Sequence, residues 1–139
     1  MKKLIVAVLG TVFFASNAFA QSLEFTCVTL DQSSTVVVTV GAGEDGFPLE
    51  SYVVDGVDKA DAVVQYAFQV TQSGLFNIIN TVEKTAEGRI HSSASIAVTQ
   101  FGLVLESVSF NVDAENIEET AVQSVYSCSL PAEEEAAAE

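Results

Sequence analysis

Few residues of this chain have chemistry to offer: two cysteines, one histidine, and nineteen acids set against five basic residues. Cys27 stands in "LEFTCV" and Cys128 in "VQSVYSCSL", far apart in sequence. A redox pair usually sits closer, as in C-x-x-C. A metal centre needs more ligands than two cysteines and one histidine readily supply. A lipid anchor needs its cysteine at the point of cleavage, whereas Leu23, Glu24, Phe25 and Thr26 precede Cys27. The pair is therefore read as a structural disulfide.

His91 lies in "RIHSSASIAV", where strict alternation puts it with Ser93 and Ser95 on a polar face. It reads as an exposed surface histidine. A serine nucleophile would need a base beside it, and no G-x-S-x-G marks one. The acids offer two further chemistries. Asp55, Asp58 and Asp61 recur every third residue in "DGVDKAD" and are candidate ligands for loosely held calcium. They do not fit the D-x-[DN]-x-[DN]-G loop, and Asp and Gly are the ordinary residues of turns. Glycine-rich "GAGEDG" lacks the G-K-[ST] end of a phosphate loop. Paired carboxylates could support a small hydrolase, given a pocket that raises one pKa. No catalytic residue, cofactor or firm metal ligand is assigned.

These residues need elements to position them. The opening "MKKLIVAVLGTVFFASNAFA" reads as a signal peptide over residues 1–20: a lysine start, a short apolar run and small residues at Ala18 and Ala20. Cleavage after Ala20 predicts a periplasmic or secreted bacterial protein beginning at Gln21, with no membrane-spanning segment in the mature chain. Losing Lys2 and Lys3 leaves Lys59, Lys84 and Arg89 against all nineteen acids, a net charge of −16 compared with −14 for the whole chain. Such acidity excludes nucleic acid and anionic membrane surfaces as partners. It favours solubility and permits a cation or a basic partner. The end "PAEEEAAAE", residues 131–139, is expected to be a disordered acidic tail.

Residues 21–130 form one predicted domain. Val, Thr, Ser, Ile and Phe dominate it, as strands prefer. "VVQYAFQV" puts Val64, Tyr66, Phe68 and Val70 on one face; "RIHSSASIAV" does the same for Ile90, Ala94, Ile96 and Val98. "LEFTCV" groups Leu23, Phe25 and Cys27, and "VQSVYSCSL" groups Tyr126, Cys128 and Leu130. One buried and one wet face is the pattern of an antiparallel sheet. Turn residues separate the runs at 31–34, 41–48, 55–61, 71–74, 83–88, 99–102 and 113–120. The last could carry a helical turn capped by Asp113. No internal repeat is evident.

The prediction is an all-β domain of about eight antiparallel strands in a small barrel or sandwich, its first and last strands joined by Cys27–Cys128. With so little catalytic chemistry on a rigid scaffold, it is expected to be a monomeric, non-enzymatic binding or interaction module for an unknown protein. The alternatives are a β-barrel holding a small apolar ligand and the carboxylate hydrolase.

Overall fold

The computed structural model describes residues 22–43 and 46–130. The expected signal peptide and acidic tail lie outside the described residues, as do Glu44 and Asp45. The rest is one antiparallel sheet of nine strands. These are β1 (Ser22–Thr29), β2 (Thr35–Gly41), β3 (Leu49–Val54), β4 (Val57–Asp58), β5 (Val63–Thr71), β6 (Gly74–Thr85), β7 (Gly88–Thr99), β8 (Gly102–Asn111) and β9 (Val122–Ser129). Every predicted turn marks a strand junction, although the 83–88 segment overlaps the end of β6 and the start of β7. The extra strand is β4, two residues long, inside the 55–61 turn segment.

The sheet order is β4-β3-β2-β1-β9-β8-β7-β6-β5. The chain thus runs as two meanders joined where the first and last long strands meet. A single sheet curls into a half-barrel, and β4 and β5 form its two ends. At the seam, Cys27 lies directly opposite Cys128 across β1 and β9. Their Cα atoms are 3.9 Å apart, and the sulfurs are bonded.

The concave face is filled by residues whose alternation marked them as core, joined by Val36, Val38, Val40 and Leu105, which the sequence reading did not single out. Leu23, Phe25, Val36, Val38, Val40, Ala94, Ile96, Leu105 and Tyr126 are buried there. Phe25, Phe68 and Phe47 make a chain of rings across the interior, with centroids 5.8 and 5.4 Å apart. This chain packs the seam strand β1 against the end strand β5. The predicted inward face of β5 needs one correction. Tyr66, Phe68 and Val70 point inward, but Val64 is 65% exposed. A register shift between Val63 and Gln65 rotates Val64 outward, and Val63 packs against the core instead.

A repeat is present after all, in the turns. Thr71, Thr85 and Thr99 open hairpins of the form T-x-x-G, 14 residues apart. The spacing equals one strand of 12 residues, as in β6 and β7, plus a two-residue turn. In each, the threonine hydroxyl donates to the carbonyl of the glycine that restarts the next strand, at 3.2, 2.8 and 2.9 Å. The glycines have φ of 150°, 133° and 110°. Gly88 is also crowded, since a Cβ there would lie 2.6 Å from Asn111 Oδ1.

The 113–120 segment differs from expectation. Its 3-10 turn covers Ile117–Thr120, and the preceding Asn116 makes no side-chain cap. Asp113 instead clamps Arg89: its Oδ2 accepts the Arg89 backbone N–H at 2.8 Å and its Oδ1 accepts Nη2 at 2.7 Å. The guanidinium outcompetes a backbone amide because both partners are charged. Those bonds hold the Asp113 carboxyl down at about 2. Asp31 is held at about 2 by hydrogen bonds from Ser33 and Thr29. Both groups titrate lower when folded than when unfolded. Their stabilisation is therefore complete above about pH 4 and is lost as pH falls through about 2. Urea midpoints measured from pH 5 to 2 should fall, and Asp113→Asn should flatten that fall. An unchanged profile in the variant would show that the clamp does not couple to folding.

A candidate binding cleft along an open strand edge

The two ends of the sheet face each other across an opening, and they are finished differently. At β4 the edge is short and immediately followed by Lys59. The Lys59 Nζ reaches across the opening to Glu83 Oε1 on β6 at 2.8 Å. Higher along the opening, the Tyr66 hydroxyl on β5 donates to the Phe47 carbonyl. Burial pushes the Tyr66 phenol up to about 12, so it stays protonated and remains a donor.

Between these two ties and the far end of β5 lies a cleft of about 700 Å³. One wall is the outer edge of β5 from Tyr66 to Thr71. The other is the segment carrying Gly43, Gly46, Phe47 and Pro48. Its apolar surface comes from Phe47, Pro48, Tyr66, Phe68 and Val70, and the Phe68 ring connects it to the core. Nothing crowds the place a Cβ would take on Gly46. The size falls within the range of ligand sites, roughly 300–1,000 Å³. Two smaller clefts, of about 240 and 580 Å³, lie beside the β5–β6 turn and over the β1–β9 seam.

The residues singled out from sequence lie elsewhere. Asp55 Oδ1 accepts the Thr35 N–H and the Ser34 hydroxyl, each at 2.8 Å. These bonds hold its carboxyl below the usual range. Asp58 accepts the Ala60 N–H at 2.9 Å. Asp61 lies within the following 3-10 turn, Ala60–Ala62. Asp55 thus ties its turn to the start of β2 and Asp58 ties down its own turn, and among the described residues no three His, Cys, Asp or Glu side chains are gathered as a metal-holding group. His91 is on the convex face, as alternation required, but it is half-buried: its ring lies 5.3 Å from that of Phe110, its cross-strand partner.

Three carboxyls with displaced titration, those of Asp31, Asp55 and Asp113, all move downward. A general acid needs the opposite shift. The cleft offers shape, apolar surface and backbone, and among the described residues Tyr66 is the one ionisable group of its lining. Sequence reading missed it because its walls come from segments about twenty residues apart that no local pattern links. The one legible signal was the uncharged run "VVQYAFQV". No family model, curated protein or solved structure matches the chain.

Proposed function

We propose that the protein is an exported, non-enzymatic interaction module that recognises its partner through the β5 cleft. The observation that carries this reading is an apolar cleft of about 700 Å³ in which, among the described residues, the lining contains no ionisable group other than Tyr66. The signal-like opening and the Cys27–Cys128 bridge support an oxidising compartment outside the cytoplasm. Among the described residues no helix is long and apolar enough to cross a membrane. An apolar small molecule is the second reading, favoured by the volume of the cleft alone.

A photo-crosslinking residue at Gln69, on the exposed cleft wall, tests the site in the exporting cell. The control position is Val125, 52% exposed on the convex face. Protein adducts should form from position 69 and not from 125, on a mature chain that begins at Gln21. Adducts that form equally from both positions, or from neither, would overturn the reading.

A further inference from the structure

We infer that the cleft takes an extended segment of a cationic protein, which adds to β5 as a further strand of the sheet. This inference rests on the proposed role of the cleft and supplies its chemistry.

β5 ends the sheet, so among the described residues its side away from β6 has no strand partner. Natural edge strands are blunted by shortness, by proline, by charge or by bulges. β4 at the other end uses shortness and charge, with two residues and Lys59 beside them. β5 has nine residues, "VVQYAFQVT", without a charge, a proline or a glycine. Its bulge sits at the start, between Val63 and Gln65, and pairing with β6 is regular from Gln65 to Thr71. The cleft follows this regular stretch from Tyr66 to Thr71. Such a stretch is about 20 Å long, enough for a strand of about six residues. In strand addition, main-chain hydrogen bonds supply affinity and alternate side-chain pockets supply selectivity. Phe47 and Pro48 provide an apolar wall for those side chains, and the open space at Gly46 leaves room for them.

Charge selects the occupant. The chain carries −14, so a second copy is repelled and a cationic partner is drawn in. Lys59 and Arg89 are already paired with Glu83 and Asp113, which leaves little positive charge to oppose a basic strand.

The probe is a nine-residue peptide of alternating lysine and valine. Its controls are the same peptide with glutamate for lysine and a version N-methylated at every backbone amide. Binding to the oxidised mature protein is followed by titration and by amide hydrogen exchange. The lysine peptide should bind, weaken steeply with salt and slow exchange at alternate residues between Tyr66 and Thr71, because alternate amides face an open edge. The glutamate and N-methylated peptides should not protect those amides. Gln69→Lys, at an exposed position, should weaken the lysine peptide about fivefold by placing like charges side by side, and Gln69→Asn should not. Equal binding of all three peptides, protection without alternation, or self-association through β5 would overturn strand addition. If those results appear while position 69 still crosslinks a partner, the cleft remains the recognition site and only the strand mechanism fails. If crosslinking fails too, both fall.

Discussion

Replacing Cys27 and Cys128 together by alanine is expected to lower stability by about 4–5 kcal/mol. The bridge closes a separation of 101 residues, nearly the whole domain. In the chain-entropy account a loop of that size restricts the unfolded chain strongly, and a domain's total stability is only about 5–15 kcal/mol. Placement adds to the effect. The seam between β1 and β9 has four register pairs, Thr26↔Ser129 to Thr29↔Tyr126. β1 and β2 have seven. The seam is also where the two meanders join, so a weak pairing carries the continuity of the sheet. The urea midpoint should fall by roughly 2–3 M for a domain of this size. Wild-type protein unfolded with its thiols reduced should show nearly the same midpoint, which separates the bridge from the small cavity left by alanine at Cys27. An unchanged midpoint in both would mean that the seam holds without its crosslink.

That bridge was legible in the sequence for a simple reason. Period-two alternation assigns each residue to a face without any knowledge of its neighbours, and both cysteines fell on the face carrying large apolar residues. The same rule located much of the core, and turn chemistry located the connections, except that the two flanking β4 were read as one turn. Alternation fails where a strand gains a residue. Val64 turned outward because the bulge beside it broke the period, and no residue type marked that place. Asp113 was misassigned for a related reason. A local cap and a distant clamp draw on the same carboxylate, and only the hairpin geometry brings Arg89 within reach.

The site was less legible than the fold. Alternation is a property of one strand, whereas the cleft depends on which strand ends the sheet. That follows from the joining of β1 to β9, which leaves β4 and β5 as ends. The sequence left a small barrel and a sandwich both open, and β5 would be an exposed edge in only some such arrangements. The threonine turns were a signal open to sequence reading. Their even spacing announces a meander of equal hairpins from β5 to β8 and so separates that half of the sheet from the irregular loops of β1 to β4.

Phe25→Ala should be the costliest single substitution in the core, at about 3–5 kcal/mol. Phe25 is 0% exposed, and its ring stacks toward Phe68, which in turn meets Phe47 edge-on. Truncation opens a cavity where the seam strand supports the end strand. Phe76→Ala is the matched control: its ring is 59% exposed, and its loss should fall within about 0.5 kcal/mol. A double-mutant cycle of Phe25 and Phe68 should return a coupling of about 0.5–1.5 kcal/mol, as for aromatic pairs in contact. The consequence reaches the cleft, because Phe68 lies in its wall and Phe47 opposite. In native-state hydrogen exchange, Phe25→Ala should therefore raise opening in β5 more than in β8, whose strand is paired on both sides. Equal acceleration in the two strands would show that the aromatic chain stabilises the whole sheet without holding the β5 edge in place. It would also remove the structural ground for treating that edge as a preformed docking strand.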